Sequence, residues 1–244
     1  MVSVEAARAE LAPRGVLRAA INTGNFLLVT GRGPAGEPQG VAPDMAAEVA
    51  RRLGAPLELI PFARPNALAD AVDEGVWDIG LIGAEPARAA RIAFTRAYAE
   101  IEATYLAPAG SPLAMIADVD RPGVRVAVLA GAAYDLWLDR NLKHAKLVRS
   151  SAADGAARLM DEGAADVLAG LRPALIGEAE RRPGARVHEG RFTTVQQAIG
   201  TQCEDAAGAA FLQAFVDEAI VSGFVASLID RHGVAGRLSV ASSA

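Results

Sequence analysis

A single cysteine, Cys203, stands in a chain of 244 residues. It excludes an intramolecular disulfide and offers no thiolate spacing for zinc. Its neighbours Glu204 and Asp205 withhold the positive surroundings that activate a thiol, so it reads as inert. His144, His188 and His232 are the only histidines and lie far apart, none with a second ligand at helical or turn spacing. No structural metal and no cofactor are expected. Lysine is almost as scarce: beyond Lys143 and Lys146 the positive charge is all arginine, and the net charge is −5. With no run of Lys or Arg, nucleic acid is excluded as a partner. Apolar runs are short, none approaching the roughly 20 residues needed to span a bilayer. Residues 1–14 carry Glu5 and Glu10 and no apolar core, unlike a signal peptide. The expected compartment is periplasmic if a leader has been removed, and cytoplasmic if this is the full native chain.

What the chain does have is apolar bulk. Hydrophobic residues make up 52% of it, enough for a sizeable core, and its length allows one large or two small domains. Strand and helix patterns alternate, which predicts an α/β protein with largely parallel sheets. Val16–Ile21 reads as a first strand, followed by a loop containing Asn22, Gly24 and Asn25. Asp44 is expected to cap a helix with Met45, Val49 and Leu53 on one face, stopped by Gly54. Leu57–Pro61 reads as a short strand, Asn66 as the cap of a second helix, and Ile79–Ile82 as a buried strand. Val124–Leu129, a helix opened by Gly131, Leu147–Val148, a helix capped by Asp154, and Val167–Leu168 continue the alternation. The extended segment Ile101–Leu106 and the Pro/Gly stretch 107–112 precede that second series, and Phe192–Ile199 follows it. A long helical region then runs from about Asp205 to His232, interrupted at Gly223.

One pattern occurs twice. Asp73-Glu74-Gly75-Val76-Trp77-Asp78-Ile79 and Asp161-Glu162-Gly163-Ala164-Ala165-Asp166-Val167 each follow a helix and precede an apolar strand. In each, glycine supplies a left-handed helix terminus and the second aspartate opens the strand after a tight turn. Matched units in separate halves predict two similar lobes. Their expected extents are 15–107 with 199–232 for lobe 1 and 108–198 for lobe 2, with 1–14 and 233–244 as terminal extensions.

These stretches resemble the family 3 extracellular solute-binding proteins. Gly40-Val41-Ala42-Pro43-Asp44-Met45 through Leu53-Gly54 is similar to the family's first helix. Leu68 through Asp78 is similar to its L-x-x-x-G-x-x-D unit. Glu85-Pro86-Ala87-Arg88, with Ile92-Ala93-Phe94-Thr95 and Tyr98, resembles its arginine-bearing segment. Gly123–Val128 with Gly131 resembles the opening of its second lobe, and Gly163–Asp166 its second G-x-x-D. The likeness runs from about Gly15 to His232. It implies an α/β, two-lobed type 2 periplasmic-binding-protein fold with two crossing hinge segments, and hinge closure on a small molecule bound between the lobes. The implied role is the substrate-binding component of an ABC transporter, with the transporter's membrane subunits as partners and the binding protein itself a monomer.

The resemblance places a ligand-carboxylate arginine at Arg88, where a planar guanidinium fork would meet a carboxylate. Further candidates come from the loops that the family uses. In the first half they are Asn22, Asn25, Arg64, Asn66 and Gly83. In the second they are Ala133, Tyr134, Leu171 and Arg172, and Gln196 lies on the returning strand. The segment between Asp78 and Arg88 is two residues shorter than usual in the family. The second departure lies after the second-lobe strand, where the family's acid for a ligand ammonium gives way to Gly170-Leu171-Arg172. A buried ammonium without a carboxylate costs several kcal/mol, so an organic anion is the expected ligand rather than a zwitterion. Two other readings stay open. One is a cytoplasmic ligand-sensing module. The other is a dehydratase-like enzyme on the same fold, with Glu85, Glu102 and Tyr134 as candidate acid–base groups.

Overall fold

The computed structural model describes residues 3–152 and 154–242. In chain order the first elements are α1 (Val4–Leu11), β1 (Leu17–Asn22), β2 (Gly31–Arg32), β3 (Pro38–Gln39), α2 (Val41–Leu53) and β4 (Leu57–Phe62). Then come α3 (Pro65–Asp70), β5 (Ile79–Gly83), α4 (Pro86–Ala89), β6 (Ile92–Phe94) and β7 (Ala99–Ala107). The middle of the chain forms β8 (Arg125–Leu129), α5 (Ala133–Asn141), β9 (Lys146–Ser150), α6 (Gly155–Asp161), β10 (Val167–Leu171), α7 (Arg172–Glu180) and β11 (Arg186–Val187). The last elements are β12 (Thr193–Gln202), α8 (Ala206–Val221), α9 (Phe224–Arg231) and β13 (Ser239–Val240).

Two compact units result, Met1–Glu100 with Gln196–Ala244, and Ile101–Val195. The divisions fall inside β7 and β12 rather than at the Pro/Gly stretch 107–112. The reason is pairing: Ala99 and Glu100 pair with β13 of the first unit, whereas Ala103–Leu106 pair with β10 of the second. In the first unit β1 lies between β4 and β5, all parallel, with β12 antiparallel to β5. In the second, β8 lies between β9 and β10, all parallel, with β7 antiparallel to β10.

Each unit has an apolar core on its sheet. In the first, Ala20, Leu68, Val72, Trp77 and Ile82 pack together, and the Trp77 indole donates to the Leu68 carbonyl at 3.1 Å. In the second, Tyr105, Val126, Val128, Leu138 and Val167 do the same. The 1–14 segment, expected as an extension, contains α1, whose Leu11 is fully buried; residues 1–2 lie outside the described residues. Gly208 permits that contact, since a Cβ there would come within 2.6 Å of the Leu11 side chain. Its N–H donates to Glu10 at 2.7 Å.

Two expected caps are placed differently. Asp44 lies inside α2, whose N-cap is Gly40, and its carboxylate instead meets the His232 ring at 2.8 Å. Asn66 sits one residue inside α3, because Pro65 takes the first helical position and Arg64 the cap. Gly40 has φ +150, and a Cβ there would lie 2.3 Å from the Leu28 carbonyl oxygen, so only glycine fits this entry to α2. The repeated pattern ends in Gly75 and Gly163, both left-handed (φ 62 and 72), as expected.

The echo extends to side chains that the sequence pattern did not connect. Asp78 receives Arg18 from β1: backbone N–H to Oδ2 at 2.8 Å, Nε to Oδ2 at 3.1 Å and Nη2 to Oδ1 at 2.5 Å. The Arg18 Nη1 also donates to the Gly75 carbonyl at 2.7 Å. In the second unit Asp166 receives Arg125 from β8 through the same atoms at 2.7, 3.2 and 2.7 Å, and Nη1 meets the Gly163 carbonyl at 2.9 Å. Both clamps tie the first parallel strand of a unit to the helix terminus that feeds the next.

Candidate functional site

In open parallel sheets ligands bind at the carboxyl ends of the strands, where loops and helix starts leave backbone groups unpaired. Each unit is read separately on that rule. In the first unit β1, β4 and β5 end at Asn22, Phe62 and Gly83. The expected residues Asn22, Asn25, Arg64, Asn66, Gly83, Arg88 and Gln196 all fall at or just beyond those ends. The loops touch: Gly24 packs so close to Ala63 that a Cβ would lie 2.6 Å from its carbonyl oxygen.

Their side chains are engaged to different degrees. Asn22 Oδ1 accepts from the Gly24 N–H, and Asn25 Oδ1 from the Leu27 N–H, both at 3.2 Å. Both asparagines therefore shape the β1 loop, and Asn25 is buried. The neighbouring Phe26 is 43% exposed, a large apolar ring that the sequence reading passed over for Asn25. Arg64 is exposed at the cap of α3. Asn66 Oδ1 is buried and has no hydrogen-bond partner among the described residues. Gln196 donates to Glu100 at 2.9 Å, and its carbonyl accepts from Ala84 at 2.7 Å.

Arg88 is the most buried of the charged candidates. It is only 5% exposed, and its Nη1 donates to the Gly83 carbonyl at 2.5 Å. Burial pushes its pKa down to about 10, against the opposing fields of Glu85 and Asp70. The guanidinium thus ties the end of β5.

In the second unit β8, β9 and β10 end at Leu129, Ser150 and Leu171. Ala133 and Leu171 belong to a small apolar cluster with Ala103, Tyr134, Phe192 and Val195. Burial raises the Tyr134 phenol well above its usual pKa, so it neither donates nor accepts a proton near neutrality. Arg172 opens α7, and three of its nitrogens are occupied. Nε donates to Glu102 Oε2 at 2.6 Å, Nη1 to the His188 carbonyl at 3.1 Å, and Nη2 to the Gly190 carbonyl. The other Glu102 oxygen accepts from Arg191 Nη1 at 2.9 Å. Hydrogen bonds from Arg172 and then Arg191 hold the Glu102 carboxyl below its usual range, so it is ionised and spoken for. Two guanidiniums, Arg172 and Arg191, thus share the one Glu102 carboxylate. Arg191 was not a sequence candidate; its position in the short connection between β11 and β12 carries no signal.

Among the described residues no group of three or more His, Cys, Asp or Glu is arranged to hold a metal ion. Cys203 is exposed.

The family model for bacterial extracellular solute-binding proteins, family 3, matches residues 25–234. The fold is similar to that of a mutant of ArgBP from T. maritima, at TM-score 0.73 and 21% identity over 93% of this chain and 99% of that one. A putative binding component of an ABC transporter from Wolinella succinogenes, complexed with lysine, gives TM-score 0.72 and 20% identity over 89% and 95%. The ancestral amino acid-binding protein AncCDT-1, a precursor of cyclohexadienyl dehydratase, gives 0.71 and 20% over 91% and 96%. No protein of curated function matches the chain. The architecture is the two-lobed type 2 periplasmic-binding-protein fold expected from the sequence.

Proposed function

Because the chain belongs to the bacterial extracellular solute-binding proteins of family 3, we propose that it binds a small, carboxylate-bearing solute without an ammonium group, as the binding component of an ABC transporter. The observation that carries this reading is the state of Glu102. It precedes Ala103, which pairs with Leu171 at the end of β10, and both its oxygens are taken by Arg172 and Arg191. An amino-acid ammonium would have to compete with two guanidiniums for that carboxylate. A solute carboxylate instead meets the guanidiniums themselves, with Arg191 half exposed at this strand end. Arg88 is assigned to fixing the β5 end rather than to the solute.

The reading is of a binding protein rather than an enzyme. Glu102 is held ionised, so it is no general acid near neutrality, and the Tyr134 phenol is pushed out of the working range. Relatives that bind arginine or lysine share the fold at about one residue in five, which leaves the ligand contacts free to differ. Function on the outer side of the membrane accords with the family's description.

Thermal unfolding with a panel of α-amino acids, dicarboxylates, aromatic acids, sugars and polyamines tests the proposal. A ligand at about 100 times its Kd adds roughly 2.7 kcal/mol, a shift of several degrees. Shifts confined to acids lacking an ammonium are expected. A clear shift with ordinary α-amino acids, and none with the other acids, overturns the reading.

A further inference from the structure

Arg172 is set largely by one short segment, residues 188–191. The His188 carbonyl accepts from Arg172 Nη1 at 3.1 Å and from the Thr104 hydroxyl at 3.3 Å. The Gly190 carbonyl accepts from Arg172 Nη2, and Arg191 shares Glu102 with it. The segment is anchored by the His188 side chain, which is fully buried. Its Nε2 lies 3.0 Å from the Leu113 carbonyl oxygen, which can only accept, so Nε2 carries the proton. Nδ1 is then a bare lone pair, and among the described residues it has no partner. Tyr105 of β7 meets the ring edge-on at 6.0 Å between centroids.

The charged groups around the ring come from three further elements. Arg186 of β11 donates to the same Leu113 carbonyl at 3.2 Å. Asp118, in the turn after Met115, lies within electrostatic reach, but its carboxylate already accepts from Ala114, Met115 and Arg121. Arg172 of α7 reaches the backbone of His188 itself.

We propose that His188 is a positioning residue for Arg172: the neutral imidazole seats the 188–191 segment, and its protonation frees the carbonyls that hold the guanidinium, so solute binding weakens in acid. A second ring proton would sit in a dry pocket without an acceptor, in the field of Arg186. Burial accordingly lowers the imidazole pKa from its ordinary value. Glu102 stays ionised over the same range, so its own titration does not mimic the effect.

The inference rests on Arg172 being a solute-side cation, but its test needs no solute. The full chain is labelled with nitrogen-15 and acidified from about pH 7.5 to about pH 4, through the ordinary histidine range and below it, because burial lowers the imidazole. The Arg172 Nε–H resonance, identified by its absence in Arg172→Lys, is expected to move with the midpoint of the His188 ring. In His188→Gln, whose amide supplies a donor that does not titrate, it is expected to stay constant. An Arg172 resonance indifferent to the titration of His188, a ring that remains neutral throughout, or the same movement in His188→Gln overturns the proposal. If His188→Gln does not fold, the two wild-type midpoints decide. Failure of the solute reading shows separately, as the absence of a thermal shift with any carboxylate while the Arg172 response persists.

Discussion

The two arginine–aspartate clamps are one arrangement of hydrogen bonds at two depths of burial. Arg18 and Asp78 have side chains 10% and 4% exposed; those of Arg125 and Asp166 are 41% and 35% exposed. Matching bond lengths make the second clamp an internal control for the first. Asp78→Ala leaves the buried Arg18 guanidinium with the Gly75 carbonyl as its hydrogen-bond acceptor and the field of Glu58 to meet its charge, and deprives the Arg18 N–H of its acceptor. Removing one partner of a buried ion pair costs about 3–5 kcal/mol. At about 3 °C per kcal/mol for a chain of this size, a loss of about 4 kcal/mol lowers the unfolding midpoint by roughly 12 °C. Asp166→Ala breaks the same bonds where water can replace them, so a much smaller loss is expected. Urea unfolding followed by circular dichroism compares the two variants, and added salt should weaken the second clamp more than the first. Equal losses would refute the argument, since geometry alone would then set the energy. So would a larger loss for Asp166→Ala.

Other outcomes follow from single contacts. Gly40→Ala forces a Cβ against the Leu28 carbonyl at 2.3 Å and should cost about 1–3 kcal/mol, read by denaturant midpoint, with Gly75→Ala milder because its site is open space. Arg88→Ala removes the donor to the Gly83 carbonyl and should lower stability by about 1–3 kcal/mol, even without solute. Glu48 is held down to about 2 by a hydrogen bond from Arg51, with Arg52 adding to it. Its folded value lies below the unfolded one, so its contribution is full above about pH 4.5 and is lost as pH falls towards about 2. Glu48→Gln should therefore flatten the acid limb of a stability–pH curve across that window. Arg172→Ala with Arg191→Ala should weaken binding of whichever acid shifts the midpoint by roughly tenfold to a hundredfold, measured by calorimetry.

How far these features can be read from the chain depends on the distance between partners. Strands such as Ile79–Gly83 and Leu57–Phe62 show in the sequence because their apolar runs are local, and Gly75, Gly163 and Gly223 mark helix boundaries through their own backbone preference. The aspartates of the repeated pattern were legible as turn residues. Their clamping role was not, because Arg18 lies 60 positions before Asp78 and Arg125 lies 41 before Asp166. The candidate site divides in the same way. The loops after β1, β4, β5 and β10 could be located in the chain, since strand ends follow from periodicity. The state of each side chain could not be read, because Glu102 and Arg172 are 70 residues apart and the burial of Arg88 depends on packing that its neighbours in sequence do not express. A carboxylate-binding role therefore cannot be carried over at Arg88 on residue identity alone. Under the proposed reading it is sought instead at the end of β10, where Arg172 and Arg191 share Glu102 across a separation that no local pattern in the sequence reveals.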